Sequence, residues 1–300
     1  MLRELIYNDI VARGKTLDVA KQWGSIADEF ERVCGAKESY TRADVTALLA
    51  HLRKRGLLQS TIDKNLKPLK LLAQIQGWDF PKLSLKRTSP DDISRPMFSK
   101  EHIRSLIMLG KALLNDTELC YLALSTTYGL RRVEMARLTS SDFTPERVTV
   151  HTAKGGRKTT HLIPKEIVPY LACFKPCRHD TLTHIFHRIM IKTGIKATGG
   201  YGWHSIRRAL ATELILTDAS ALNVLRFMRW ADASTRGEFG MLAIYARKDQ
   251  ERIDQEIFKI HPFLPYWGGI DGEGDTFSSR VPDCELHRPA EAANIVSLRA

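Results

Sequence analysis

The sequence lacks any long hydrophobic run. Its longest stretch without a charged residue, Leu119 to Leu130, is far shorter than the roughly 20 residues that a helix needs to cross a bilayer. The N-terminus has no apolar segment followed by a small-residue cleavage site. We therefore expect neither a membrane-spanning segment nor a secretory signal.

Cysteine is also scarce. The five cysteines are scattered and odd in number, which favours reduced thiols and a cytoplasmic protein, associated with the nucleoid if the host is a prokaryote. Cys173 and Cys177 with His179 have the spacing of half a metal site, but no second ligand pair lies nearby, so ordinary thiols are favoured. The sequence has no phosphate-binding Gly-x-x-x-x-Gly-Lys-Ser/Thr loop and no obvious carboxylate triad for two-metal chemistry. We expect no cofactor.

Basic residues outnumber acidic ones. The 300 residues include 45 Lys and Arg against 34 Asp and Glu, which gives a net charge of +11 and a pI of about 9.5. This balance indicates a polyanionic partner, although a basic protein without a nucleic-acid role has the same composition. The length of 300 residues is enough for two domains or for one large one, each with a core, and the hydrophobic content of 43% is an ordinary globular value.

The region from 15 to 78 has the periodicity of helices. Thr41 and Asp44 form a capping pair at one helix start, and Gly56 marks that helix's end. A second apolar pattern runs from Ser60 to Gly77. The opposite side of this second helix carries three lysines, which we call the lysine face: Lys64, Lys67 and Lys70. Taken alone, such a face is merely solvated.

A proline-rich, basic stretch at 79–97 cannot continue as helix and marks a domain boundary. We assign a helical domain to 1–88, a linker to 89–97 and a second domain to 98–265. The glycine-rich, acidic and then proline-containing remainder, 266–300, is predicted to be a flexible tail.

The second domain is predicted to be mainly helical with one small insertion of sheet. Alternating apolar residues at 143–164 flank a glycine turn, which indicates an antiparallel hairpin. The fold class is therefore mainly α with a small antiparallel β-sheet (α+β). Helices are predicted near 99–114, 116–127, 131–138, 165–174, 180–193, 204–217, 219–228 and 249–260.

A dispersed set of basic residues ends in a tyrosine. Its members are Arg131 in Gly-Leu-Arg-x-x-Glu, Lys154 in the hairpin turn, His204 and Arg207 in His-x-x-Arg, Trp230, and Tyr245. Two arginines, a lysine and a histidine suit the neutralisation of a phosphate and the supply of proton donors around it, and a tyrosine supplies a nucleophile. Three helical steps place His204 and Arg207 on nearly the same face.

The order of these residues resembles the tyrosine recombinase (phage integrase) family. The resemblance covers roughly 97–260 and, less specifically, the helical region before it, which is similar to a DNA-clamping core-binding domain. It implies a site-specific recombinase or integrase that cuts and rejoins DNA through a 3′-phosphotyrosyl intermediate, without ATP or metal.

The resemblance selects particular residues among neighbours of the same type. It favours Arg131 over Arg132 and Arg137, and His204 with Arg207 over the adjacent Arg208. It assigns Lys154 as proton donor to the leaving oxygen, and it gives the Glu134 position a buried, supporting role. Two further cations of the hairpin either touch the DNA backbone or do nothing: Arg157 and Lys158.

The sequence departs from the family pattern in two places. Most members have Gly-His where this chain has Arg229-Trp230, and a core tryptophan is an almost equal reading of Trp230. The separation of Trp230 and Tyr245, fifteen positions, is longer than usual, with 234–240 as a loop insertion. The rival nucleophiles are Tyr201 and Tyr266.

The resemblance implies double-stranded DNA as partner, a homotetramer on paired DNA sites, no membrane, and accessory DNA-bending or directionality proteins. Two other functions stay open: a type IB topoisomerase-like nicking-closing enzyme and a catalytically inactive DNA-binding relative. A last apolar face, Ile253, Ile257 and Ile260, suits either docking on a neighbouring subunit or packing within the chain.

Overall fold

The computed structural model describes residues 1–83, 85, 96–152, 158–197, 199–230 and 250–268. The chain divides into two compact units, Met1–Ser94 and Arg95–Ala300. In the described residues the secondary structure is helical apart from one antiparallel pair of strands, which confirms the predicted fold class. None of the described helices has the length and apolarity needed to cross a membrane.

The first unit consists of four helices around one apolar core. The first helix was not predicted from the sequence, although Leu2, Ile6 and Ile10 recur at helical spacing and are buried. The capping pair holds, because the Asp44 carboxylate accepts hydrogen bonds from the Thr41 N–H at 2.8 Å and the Thr41 hydroxyl at 2.9 Å. The helices are α1 (Leu2–Ala12), α2 (Leu17–Cys34), α3 (Arg42–Lys54) and α4 (Gln59–Gln76).

The second unit contains the remaining helices and the hairpin. The helices are α5 (Lys100–Leu113), α6 (Asp116–Tyr128), α7 (Arg132–Arg137), α8 (Val168–Leu171), α9 (His179–Thr193), α10 (Trp203–Ile215), α11 (Ala221–Phe227) and α12 (Gln250–Lys259). The strands are β1 (Arg147–His151) and β2 (Lys158–Leu162), paired from Arg147 opposite Leu162 to His151 opposite Lys158. The predicted helix at 165–174 is only the short α8.

Helix α6 is the centre of the second unit's core. Its residues are buried from Glu118 to its end at Tyr128, with α5, α8, α9 and α10 packed around it. Its one buried carboxylate, on Glu118, accepts from Arg188 at 2.9 Å and from Lys192 at 2.7 Å, both on α9. The longest uncharged run of the sequence is therefore the central helix of a globular core.

The C-terminal part of the folded unit packs against β2 and α11. Ile253 and Ile257 on α12 are each 1% exposed, whereas Ile260 is 37% exposed, so the first two residues pack within the chain. The tail is predicted to begin at 266, and the packed residues of the described chain extend to Trp267. Trp267 is 2% exposed, and its indole N–H donates to Thr126 Oγ1 on α6 at 3.0 Å. The ring therefore belongs to the core around α6.

Candidate active site

The site is organised around the turn that joins α6 to α7. Gly129 ends α6 with φ of 55°, a left-handed conformation that glycine adopts without strain. A Cβ at this position would lie 2.8 Å from Met228 Cε, so the turn also needs the absence of a side chain. The glycine thus allows the segment after α11 to approach the start of α7.

Arg131 caps the start of α7 and pairs with Glu134. The Glu134 carboxylate accepts from the Arg131 backbone N–H at 2.9 Å and from its guanidinium at 2.6 Å. The Arg131 side chain is 20% exposed, while that of Glu134 is fully buried. This pair holds the Arg131 guanidinium at the surface edge of the site, as expected for a support at the Glu134 position.

Arg207 lies deeper in the same site. It comes from α10, is buried, and donates to the backbone carbonyl oxygens of Gly129 and Met228. Arg131 donates to the next carbonyl along, that of Arg229, at 3.3 Å. Two of the arginines selected from the sequence therefore meet at one turn, directly before Trp230.

Arg229 is a third arginine of the site, which the sequence analysis missed. It has φ of 51°, a left-handed conformation that a residue with a side chain adopts at a cost of about 1–2 kcal/mol. Its buried guanidinium donates to the carbonyl of Tyr128 at 2.7 Å and of Phe227 at 3.0 Å, and its Nε lies 3.5 Å from Glu134 Oε2. We call Arg131, Arg207, Arg229 and Glu134 the arginine cluster.

The arginine cluster carries an excess of positive charge. Among the described residues, the cluster has three guanidiniums and one carboxylate, which leaves two positive charges within it. Burial and the neighbouring Arg229 and Arg131 lower the pKa of Arg207 to about 9, so it stays charged at neutral pH. Burial raises the pKa of Glu134, but Arg229 and Arg131 outweigh it and the net pKa is lowered. An excess of this sign favours the binding of an anion.

A buried histidine and aspartate extend the cluster toward α12. His161 on β2 lies with Nε2 3.3 Å from Arg229 and with Nδ1 3.0 Å from the Asp254 carboxylate. A guanidinium can only donate, so Nε2 accepts from Arg229 and Nδ1–H donates to Asp254. Burial lowers the pKa of His161. Asp254 also accepts from the Leu162 backbone N–H at 2.8 Å, which ties α12 to the hairpin.

Other candidates from the sequence lie around this cluster. His204 is exposed at the start of α10, whereas Arg207, three residues later, is buried. Arg208, the rival arginine, donates to the Pro96 carbonyl at 2.5 Å. Trp230 is 36% exposed, which does not suit the alternative of a core tryptophan.

The remaining candidates include three that the structure leaves undescribed. Lys154, Arg157 and Tyr245 lie outside the described residues. Lys158 is exposed at the first position of β2, opposite His151. The lysine face is exposed along α4, although Lys70 Nζ also lies 5.6 Å from the centre of the Phe80 ring.

The rival tyrosines are engaged elsewhere. The Tyr201 hydroxyl lies 3.4 Å from the Met97 carbonyl, and the Tyr266 ring lies 5.7 Å from the Arg104 guanidinium. The buried hydroxyls of Tyr121 and Tyr128 donate to the carbonyls of Lys175 and Leu162. The hydroxyls of Tyr201, Tyr121 and Tyr128 therefore face backbone carbonyls and not the arginine cluster.

The two arginines were predicted from the sequence, but the residues that hold them were not. Side chains of a strand point alternately to its two faces, and His161 lies on the face opposite to that of Lys158 and Thr160. This position on the inward face was a signal for its burial. Asp254 lies between Ile253 and Ile257 on an apolar helix face, where a carboxylate needs a buried partner. No sequence signal identified Arg229, because its neighbours Met228 and Trp230 fit any helix end.

Comparison with known proteins gives a structural relationship without a sequence match. No protein-family model and no curated protein matches the chain. A lambda integrase dimer bound to a COC′ core site aligns with a TM-score of 0.60 at 15% identity, over 83% of this chain and 78% of that one. A lambda integrase tetramer bound to a Holliday junction gives 0.56 at 14%, over 79% and 78%.

A third similar structure is the Tn1549 transposon integrase in complex with transposon right-end DNA. It aligns with a TM-score of 0.55 at 14% identity, over 86% of this chain and 99% of that one. At these identities the likeness shows the fold. The chain therefore has the tyrosine recombinase/integrase fold that the order of its basic residues predicted.

Proposed function

We propose that this protein is a site-specific DNA recombinase or integrase that cuts and rejoins DNA strands through a 3′-phosphotyrosyl intermediate. The observation that carries the proposal is the arginine cluster, where the guanidiniums of Arg131, Arg207 and Arg229 outnumber the Glu134 carboxylate by two among the described residues. The tyrosine recombinase fold and the net charge of +11 support the same function.

The arginines have a defined chemical task in this proposal. Attack on a phosphodiester places additional negative charge on the non-bridging oxygens of the phosphorane. A pre-positioned guanidinium stabilises that charge more than the ground state, because it does not need to reorganise during the reaction. Arg131, at the exposed edge of the cluster, contacts the phosphate first, and Arg207 supplies charge from below.

The remaining roles follow from proton transfer. Tyr245 attacks the phosphorus, and cations around it favour the phenolate over a phenol whose ordinary pKa is near 10. Lys154 gives a proton to the leaving 5′ oxygen. His204 accepts the Tyr245 proton or donates to the phosphate, and Trp230 donates through its indole N–H and packs against the nucleophile segment. Rejoining reverses these steps, so neither ATP nor a metal enters the balance.

The substrate is double-stranded DNA, and strand exchange requires a homotetramer on paired sites, because each subunit cuts one strand. The lambda integrase tetramer on a Holliday junction is an assembly of this kind. The exposed lysine face and Lys158 are proposed to contact the phosphate backbone. Accessory DNA-bending or directionality proteins, and a location on the nucleoid, belong to the same proposal.

A second candidate function is an inactive DNA-binding relative. It is favoured by one observation, the fifteen positions between Trp230 and Tyr245. The joint presence of Arg131, Lys154, His204, Arg207 and Tyr245 favours the active enzyme, because a site that only binds DNA has no physical need for all five. A type IB topoisomerase-like enzyme has the same chemistry but acts as a monomer on any sequence.

The deciding experiment traps the covalent intermediate. A nicked suicide substrate carrying the DNA that flanks the gene loses the strand needed for rejoining, so the protein–DNA adduct accumulates. We expect adduct with the native protein and with Tyr266→Phe, and none with Tyr245→Phe, which should bind DNA normally. Adduct with Tyr245→Phe would reject this nucleophile, and no adduct from a bound native protein would favour the inactive relative. Relaxation of unrelated supercoiled DNA would favour the topoisomerase-like enzyme.

A further inference from the structure

The turn after α11 holds both candidate phosphate-binding arginines through two consecutive carbonyls. Met228 O accepts from Arg207, and Arg229 O accepts from Arg131 at 3.3 Å. The direction of these two carbonyls depends on the left-handed conformation of Arg229, with φ of 51°. A change in this one dihedral angle would move both acceptors, and with them both guanidiniums.

The side chain of Arg229 holds the turn in that conformation. It is folded back into the core, where its Nη2 donates to the Tyr128 carbonyl at 2.7 Å and its Nη1 to the Phe227 carbonyl at 3.0 Å. Its Nε faces Glu134 at 3.5 Å, and Glu134 in turn holds Arg131. A side chain only 1% exposed and directed inward is placed to brace the turn rather than to meet DNA.

We propose that Arg229 is a positioning residue, which sets the geometry of Arg131 and Arg207 toward a bound phosphoryl group without touching that group. The inference rests on the proposed function only in taking the scissile phosphate as the natural occupant of the cluster. Binding of a free phosphate at the same arginines is enough to test it.

The far end of the same network provides an independent variant. Arg229 is braced by His161, which is held by Asp254 on α12. Asp254 is buried and acts on the arginine cluster through the His161 ring, which it fixes and which accepts from Arg229. Asp254→Asn should therefore weaken phosphate binding, but less than a substitution of Arg229 does.

The first experiment measures the affinity for inorganic phosphate. Binding is monitored by NMR through the ¹⁵N–¹H signals of the arginine Nε groups. Arg229→Gly suits the test, because glycine adopts the left-handed conformation without strain and only the guanidinium is lost. We expect about tenfold weaker binding, the equivalent of one charge-assisted hydrogen bond, and the same for Arg229→Lys, which keeps the charge but not the planar fork. Arg104→Ala, on α5, is the matched control and should bind normally.

The second experiment compares single-turnover cleavage of an ordinary phosphodiester with that of a methylphosphonate, in which a neutral methyl group replaces one non-bridging oxygen. Arg229→Gly should slow cleavage of the ordinary DNA by about 10²-fold, the usual effect of misplaced catalytic groups. Its defect should shrink on the methylphosphonate, as should that of Arg131→Ala, because less charge needs stabilising. If Arg229 had a purely structural role, Arg229→Gly would slow the cleavage of both substrates by the same factor.

The outcomes separate this inference from the proposed function. Phosphate binding that is weakened by Arg229→Gly, in a protein that never forms a DNA adduct, would uphold the positioning role and reject the recombinase. Normal phosphate binding by Arg229→Gly would reject the positioning role, as would full recovery by Arg229→Lys, which would show that charge alone matters. If the native protein does not bind phosphate at all, the positioning role of Arg229 is also rejected.

Discussion

His261 is expected to make the stability of this protein depend on pH. The residue follows α12 and is 3% exposed. Its Nε2–H donates to the Thr127 carbonyl at 2.9 Å, while Nδ1 accepts from the backbone N–H groups of Phe263 and Leu264 at 3.2 and 3.1 Å. Protonation would place a hydrogen on Nδ1 facing two other donors, so the fold excludes the charged form.

The size of the effect follows from the two pKa values. Burial lowers the pKa of His261 from 6.5 to about 4, although the Thr127 carbonyl opposes the shift. Between these values the unfolded chain binds the proton and the folded chain does not, so stability is complete above pH 6.5 and falls as the pH drops toward 4. The full loss is about 3 kcal/mol, and about 2 kcal/mol of it is reached at pH 5.

Urea unfolding of the full chain at pH 7.5 and pH 5.0 measures this loss. His261→Gln should lose about 2 kcal/mol less than the native protein over this interval, because an amide can donate to Thr127 and accept from Phe263 without titrating. His184→Gln, an exposed change on α9, is the control and should behave as the native protein. The lowered pKa of His161 adds a loss of the same sign to all three proteins.

Two results would refute this reasoning. One is an equal loss of stability in the native protein and in His261→Gln between the two pH values. The other is a direct titration in which the His261 ring of the folded protein protonates near pH 6.5. Either would mean that the interior around α6 accepts a charge at this position.

Three further predictions concern the site and its surface. Gly129→Ala should lower the free energy of unfolding by about 2–3 kcal/mol, because the new Cβ combines a left-handed φ with a close contact to Met228. Gly194→Ala, where φ is 66° and no atom lies within 4 Å of the new Cβ, should lower it by only about 1 kcal/mol in the same thermal unfolding measurement. Replacing the lysine face by alanines should reduce the slope of log K against log salt by roughly 2.7, and an unchanged slope would show that the face is only solvated. Lys154→Ala should slow cleavage by about 10²–10⁴ and be rescued by a bridging 5′ sulfur, whereas Arg131→Ala should not; equal defects on both substrates would remove Lys154 from the acid role.

Much of the architecture was predictable because its determinants are local. Helix periodicity, the Thr41–Asp44 cap and the glycine at the end of α6 depend on residues within a few positions of one another. The hairpin followed from alternation around a glycine turn, and β1 and β2 pair there. The family-like order of Arg131, Arg207 and Trp230 also indicated the fold before any structural comparison.

The boundaries of the folded part were less predictable. Nothing near Trp267 in the sequence distinguishes it from the glycine-rich segment that follows, and its burial depends on α6, more than a hundred positions earlier. The same is true of Ile253 and Ile257, whose apolar face fitted a neighbouring subunit as well as the chain's own core until β2 and α11 were seen to cover it.

The sequence by itself determined the fold class and the identity of two arginines that meet at one turn, because the periodicity of apolar residues and the order of the basic residues can be read along the chain. Only the tertiary structure decided how those arginines are held. Arg229 became part of the cluster because the chain turns at φ of 51° and directs its side chain inward to Glu134 and His161, residues 95 and 68 positions away. A charge network of this kind is set by which buried groups must find partners, and that depends on distances through space that no spacing along the chain records.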